Sequence, residues 1–434
     1  MLIRILINYF NINQGFLEST NNDIKSRAIY LLGKFTYSDE IFLETSFEKL
    51  KLLEEKETDD KVLGSILHSY LTLLFLNTKY FNDTSKILLK NIIAKGDRFT
   101  FYVLAQLLFL HRASEKHEDS QYLDLTRAAY TFLKTNLASE VGTIKYIGMS
   151  FPTKNQGELL KDYLELIEFH IENGIAIELF NIKHFIENDI EIFEKTITRW
   201  FSANSLKILL AARDFFIPNN GKLIKPNFDL VESYFDYLNI FIARKAVGCL
   251  FLYPEILLHF LIHLMEVSTE VEATDIANLI YHFILINHPY QKENIIKWNN
   301  NLKPYNQTEL TRIVQEIENY LQNIKSIPEI KELRPPTENV IEHDRYHSKT
   351  MVRKFEDSNQ NSILNQLFTP VMMLYGHKAI FKKELGQQVG RTEVEMVSHS
   401  VSITMPRMLS IDKDNFEYEL KICLAERYSN ETNS

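Results

Sequence analysis

No proline occurs before Pro152, and the 434 residues hold only 13 Gly and 11 Pro. Proline removes a backbone donor and clashes with the preceding turn, costing about 3 kcal/mol inside a helix, so its scarcity leaves long stretches free to be helical. The apolar residues follow a helical spacing. Leu63, Ile66, Leu67, Tyr70, Leu71 and Leu74 recur at steps of three and four, as do Leu159, Leu160, Tyr163, Leu164 and Ile167. Such spacing lays one apolar stripe along a helix. Similar patterns predict helices near 22–34, 39–54, 84–95, 99–111, 120–136, 176–186, 189–201, 204–216, 227–241, 255–266, 271–287 and 307–325.

Helices of this length joined by short polar loops, such as Asn82-Asp83-Thr84 and Gly96-Asp97, suit stacked antiparallel hairpins better than one bundle. The expectation is a mainly α chain: an irregular α-helical repeat, solenoid-like, over residues 1–327. No repeated signature with a period of roughly 30 to 50 residues stands out, and the stretch Pro218 to Pro226 suggests a subdivision near 217–226. Pro328, Pro335 and Pro336 push their neighbours toward extended conformations and mark a linker at 328–340.

Beyond the linker, residues 341–434 read as a small C-terminal α+β module. Val394, Met396, Val401, Ile403 and Met405 alternate with polar neighbours and predict a strand over 392–405. Phe416, Tyr418, Leu420, Ile422 and Leu424 alternate with Glu417, Glu419, Lys421 and Cys423 and predict a second strand, with Asp412 to Asn415 as the turn before it.

An apolar fraction of 45%, with 29 Phe and 21 Tyr, excludes wholesale disorder. Two cysteines, Cys249 and Cys423, can build neither a disulfide framework nor a thiolate metal cluster, so a reducing cytoplasm is the expected location. The net charge of -9 argues against global attraction to nucleic acid or anionic membrane. Arg4 and Asn8 interrupt what would be the apolar region of a signal peptide, and no export signal is expected. The most apolar run, Ala246 to Met265, carries Pro254 and Glu255 near its middle. A charge at bilayer centre costs about 2.5 to 3.5 kcal/mol, so two buried helices meeting at Tyr253-Pro254 are predicted instead of a membrane span.

The strong catalytic signatures are missing. Gly221-Lys222 has Phe216 where a phosphate-binding loop needs glycine, and no dinucleotide fingerprint, Gly-x-Ser-x-Gly elbow or Cys-x-x-Cys occurs. Weaker constellations remain. His259 and His263, four apart with Glu255 upstream, would place two imidazoles on one helix face, though their apolar neighbours read as core. Glu342, His343, Asp344 and His347 form the densest run of metal-ligating types, with a capped helix start as the plainer reading. Glu419 and Lys421 on the predicted strand would share a face, as in nucleases where Glu holds a metal and Lys steadies the attacking water. From Arg345 to Arg391 there are eight basic residues against three acidic. Arg345, Lys349 and Arg353 would make one helical stripe, joined by Lys354, Lys382 and Lys383, able to neutralise phosphates or to dock on the acidic helical body.

No cofactor is implied. These residues favour a non-catalytic interaction or scaffold protein whose helical surface meets a partner protein or multi-protein complex. A nucleic-acid-binding protein or metal-dependent nuclease built on the C-terminal module is the alternative.

Overall fold

The structure, a computed structural model, describes residues 15–35, 37, 40–114, 119–153, 156–177, 189–211, 223–232, 234–326, 346, 349, 379–385, 388–394 and 406–428. The described residues are mainly helical, as the proline-poor sequence predicts. They fall into two compact units, Met1–Phe215 with Asn227–Glu232, and Phe216–Pro226 with Ser233–Ser434.

In the first unit the helices are α1 (Asn22–Leu32), α2 (Glu40–Lys56), α3 (Asp60–Leu76), α4 (Asp83–Lys95), α5 (Arg98–His111), α6 (Ser120–Leu133), α7 (Val141–Met149), α8 (Gln156–Glu172), α9 (Ile190–Ser202) and α10 (Leu206–Ala211). Short polar residues start them. Asn21 accepts from the N–H groups of Asp23 and Ile24, Asp59 from Val62, Asp119 from Gln121, and Asp189 from Glu191 and Ile192. Asn82 and Ser85 form a reciprocal capping box. Each cap satisfies donors that the first helical turn cannot pair internally.

These helices pack at alternate positions along the chain. α1 lies on α3, α3 on α5 and α5 on α7, while α2 lies on α4, α4 on α6, and α6 on α8, which also receives α9 and α10. α3 is enclosed on nearly all sides, from Val62 through Leu71 and again at Leu73, Leu74 and Phe75. Burying one Leu side chain stabilises by roughly 2 kcal/mol, so this one helix supplies much of the unit's apolar core. Gly64 permits the close approach: a Cβ there would meet the Phe99 ring at 2.5 Å.

Polar side chains tie each helix to one farther along the chain. Lys25 pairs with Glu57 at 2.8 Å, the Ser69 hydroxyl donates to the Ile29 carbonyl at 2.6 Å, and Lys95 reaches Glu54 at 2.6 Å. Thr78 donates to Asp119, Lys134 to Glu165, and Arg199 holds both oxygens of Glu168 at 2.8 and 2.7 Å. The links named here span 31 to 41 residues of sequence.

The second unit contains α11 (Leu238–Leu250), α12 (Pro254–Val267), α13 (Glu270–Leu279), α14 (Lys292–Trp298), α15 (Pro304–Ser326), α16 (Met408–Ile411) and α17 (Lys413–Ala425). A π-helical turn, Ile280–Leu285, continues α13, and an antiparallel hairpin joins β1 (Ala379–Leu385) to β2 (Gln388–Val394). α11 and α12 meet at Tyr253-Pro254 as predicted, with Pro254 in the first turn of α12, where its missing N–H costs nothing. Among the described residues no helix is long and apolar enough to cross a membrane.

Three expectations need correction. The helix predicted over 227–241 begins only at Leu238: Asn227 folds its side chain onto the Asp229 N–H and gives its own N–H to Thr198, and Tyr237 adopts a left-handed φ of 66°. Residues 141–149, for which the sequence pattern predicts nothing, form α7. The predicted strand over 416–424 is α17. Phe416, Glu417, Leu420, Cys423 and Leu424 are the buried residues, at helical spacing, while Tyr418 and Ile422, which completed the alternation, are 63% and 50% exposed. Asp412, read as a turn, caps the helix by accepting from Asn415 N–H.

With that strand goes the expected α+β module in its predicted form. α17 packs along α11, Phe416 meets Phe251 and Phe283, and a Cβ on Gly248 would meet Leu424 at 2.7 Å. The hairpin covers the start of the predicted 392–405 strand; the rest of that strand and the 328–340 linker lie outside the described residues.

Candidate functional site

The corrected C-terminal helix changes the geometry of its candidate residues. Glu419 and Lys421, two positions apart, would share a strand face, but on α17 they are separated by about 200° around the axis. The proposed division of labour between a metal-holding carboxylate and a neighbouring ammonium loses its shared face. Glu419 turns instead to the π-helical turn, where its Oε2 lies 2.8 Å from His282 Nε2, and the Asn415 amide reaches its other oxygen at 3.4 Å. The π turn is braced from below by Asn287, whose amide donates to the His282 and Phe283 carbonyls while its oxygen accepts from Met408 N–H. A carboxylate set on an imidazole in this way fixes the ring and its tautomer. Among the described residues no third His, Cys, Asp or Glu joins the pair into a metal-binding group.

His259 and His263 do share one helix face, with ring centroids 4.2 Å apart. Both are spoken for by the backbone: His259 Nδ1 lies 2.8 Å from the Ile224 carbonyl, and His263 Nδ1 lies 2.9 Å from the His259 carbonyl. Burial lowers the pKa of each below the ordinary imidazole value. Trp298 closes edge-on over His259 at 5.1 Å.

The least expected ionisable group is Lys245, only 1% exposed. Its ammonium donates to the Leu424 and Glu426 carbonyls at the C-terminal end of α17 and lies 5.0 Å from the centre of the Phe241 ring. Burial brings its pKa down to about 8. A cation at a helix C-terminus faces the negative end of the helix dipole, so Lys245 fastens α17 to α11. Nothing in the apolar spacing of 238–250 marks this lysine as interior.

His343, Asp344, Arg345, His347, Arg353 and Lys354 lie outside the described residues. Lys349 is an exposed helical residue. Lys382 and Lys383 lie on β1, where the backbone register sets Lys382 opposite Arg391 and Lys383 opposite Gly390.

A different constellation appears in the first unit, and sequence reasoning missed it. A pocket of about 390 Å³ opens between α2 and α4 over α3. Phe47 from α2, Tyr70 from α3 and Tyr80 from the short turn Thr78–Tyr80 converge there, with Phe47 set edge-on to Tyr70 at 5.3 Å and tilted against Tyr80 at 5.1 Å. Glu48, Lys51, Glu54 and Glu55 line the α2 side, and Asn82, Ser85 and Asn91 the α4 side. Tyr70 is only 6% exposed, and burial followed by the charge of Glu48 pushes its phenol pKa up to about 12. Its hydroxyl makes no hydrogen bond among the described residues. The three rings come from three separate elements, so no local period could have announced them; only the packing of α2, α3 and α4 brings them together.

Comparison with protein-family models gives no match, and comparison with curated proteins and with solved structures gives none either.

Proposed function

We propose that this is a non-catalytic interaction or scaffold protein that works within a larger complex and meets its partner through a helical-repeat surface on the first unit. The observation that carries the reading is the manner of packing there. Helices stack on the next but one along the chain, and side-chain links between them recur at spans of 31 to 41 residues. Units stacked in this way bury their apolar edges on each other and extend a continuous binding surface. Large apolar side chains remain outward, with Ile41 70%, Leu110 56% and Val141 82% exposed. The first unit also holds the aromatic pocket, the kind of concavity that takes an anchoring side chain.

Photocrosslinking tests the reading directly. A benzophenone amino acid placed singly at positions 41, 110 and 141 of the full chain should give covalent adducts with the same partner polypeptide, suppressed by excess unmodified chain. Adducts to unrelated proteins at each position, insensitive to competition, would remove the scaffold reading.

The alternative is nucleic-acid binding through residues 345–391, and one observation favours it. The hairpin register places Lys382 across from Arg391, concentrating cations on one short ribbon. Affinity of the full chain for single- and double-stranded nucleic acid should then fall steeply with salt, and the slope should shrink when Lys382 and Arg391 become neutral. A salt-insensitive or absent interaction at low ionic strength would end this alternative.

A further inference from the structure

We infer that the pocket between α2 and α4 is a receptor for a cationic side chain, arginine or lysine, presented by the partner polypeptide. This deepens the interaction reading above and rests on it. The chemistry of the walls supports the choice of ligand. Phe47, Tyr70 and Tyr80 offer three rings, and an ammonium or guanidinium within about 6 Å of a ring is drawn to its negative face. The first unit already uses that attraction next door: Lys79, which is not a pocket residue, stands 5.0 Å from the centre of the Tyr80 ring, and its ammonium pairs with Glu40.

The second observation is the Tyr70 hydroxyl. Tyr130 and Tyr163 in the same unit are fully enclosed and donate to the Ser150 and Gly148 carbonyls at 3.0 and 2.9 Å, whereas the Tyr70 hydroxyl is not among the enclosed polar atoms although its residue is only 6% exposed. Tyr70 lines the pocket, and its hydroxyl, without a protein partner among the described residues, keeps access to solvent there. It can accept from a guanidinium or ammonium N–H.

Charge gives the sign. Glu54 is neutralised by Lys95 at 2.6 Å, which leaves Glu48 and Glu55 against Lys51. Among the described residues none of these three enters an ion pair, so the pocket carries one net negative charge that an incoming cation would balance. A volume of about 390 Å³ suits one long side chain, whose aliphatic stem would lie along Ile87 and Leu88 while its charged head reaches the rings.

The test uses the full chain and four probes: three blocked Gly-Ser heptapeptides, each carrying a trifluoroacetyl tag and differing only at the central residue (arginine, its neutral isostere citrulline, or glutamate), and free agmatine. Binding is read from ¹⁹F line widths at low salt for the peptides, and by competition for agmatine. The arginine peptide should bind at least about tenfold tighter than the citrulline peptide. Glu48→Gln should cost about tenfold in that affinity, and Lys51→Met should increase it several-fold, because one change removes an attraction and the other a repulsion felt by a cation. Both positions lie at the surface or half-buried, so melting curves should match the parent. Equal binding of arginine and citrulline peptides overturns the inference. So does preference for the glutamate peptide with loss on Lys51→Met, which would mark an anion site, or binding by agmatine with none by the arginine peptide, which would mark a small-molecule site. Absence of binding by every probe overturns it as well. Photocrosslinks at 41, 110 and 141 that survive such a failure would leave the scaffold reading standing without this pocket.

Discussion

The two units differ in the sequence span of the contacts that hold them together. In the first, ion pairs and hydrogen bonds link helices 31 to 41 residues apart around a largely apolar core in which His68 and His170 are buried. In the second, Lys245, His259 and His288 are inside, and the unit is closed by contacts between residues more than 120 apart, from Met408 to Asn287, Glu419 to His282 and Lys245 to Leu424. Tyr428 completes that closure by stacking on Phe235 at 4.2 Å. Loop-closure cost grows by only about 0.6 kcal/mol per doubling of length, so the longer spans of the second unit cost roughly 1 kcal/mol more to close and favour slower formation.

The contrast is broken most severely at α17. Leu420→Asp places an unpaired charge where no side-chain area is exposed, and should destabilise by about 4 kcal/mol or more. Hydrogen exchange should show α11 to α13 losing protection while α3 and α5 keep theirs. Equal loss in both units would mean that closure of the second governs the whole chain.

Arg199→Met tests the first unit at its most enclosed ion pair among the described residues, Arg199 with Glu168. Glu168 would keep Trp200 Nε1 at 2.9 Å but lose the guanidinium that grips both of its oxygens. The expected loss is about 3 kcal/mol, because the carboxylate remains poorly hydrated without its cation. Exchange should rise first in α8 and α9; a change below the scatter of surface variants would count against a buried role for the pair.

Acid acts on both units through buried histidines, His68 in the first and His288 in the second, each held down to about 4 by burial, and the second is tested at His288. His288 is 1% exposed with neither ring nitrogen hydrogen-bonded among the described residues, and burial lowers its pKa to about 4 from the ordinary 6.5. Between those values the unfolded chain binds the proton and the folded chain does not, so stability is lost as pH falls from 6.5 to 4. The span corresponds to about 3 kcal/mol. His288→Phe should remove that share of the acid sensitivity from α13 and the π turn. An unchanged slope in the difference between parent and variant would show that His288 does not titrate in this window.

The smallest effect is expected at Asp60, which belongs to α3 but caps α5. Its carboxylate accepts from the N–H groups of Asp97, Phe99 and Thr100 and from the Thr100 hydroxyl. Burial would raise its pKa, but the Thr100 hydroxyl and these three amides together hold it below the usual carboxylate value. Asp60→Ala should cost about 1 to 2 kcal/mol, with faster exchange confined to the first turn of α5. A uniform slowing or quickening across the unit would contradict the cap.

Helices were legible in the sequence where an apolar stripe coincided with capping residues. α4, with Asn82 and Ser85 ahead of Leu88, Leu89, Ile92 and Ile93, is readable end to end. α17 was not, because its aromatic and β-branched residues fall at both two-residue and four-residue steps; burial of Phe416 and Leu420 against α11 and the π turn chose the helix. The π turn was equally hidden, since Ile276, Ile280, Phe283 and Ile284 continue an ordinary helical period through it. Glu419 was singled out for chemistry on a strand, and its actual partner, His282, sits 137 residues away.

By itself the sequence determined the helical character, the proline joint at Tyr253-Pro254 and most helix starts, because backbone propensity, capping and apolar spacing act over a few neighbouring residues. Tertiary structure alone decided which helices became neighbours, that Lys245 would be interior, and that Phe47, Tyr70 and Tyr80 would face one another across a pocket. Those outcomes depend on surfaces meeting across tens to hundreds of residues, and no local pattern encodes the other side of such a contact.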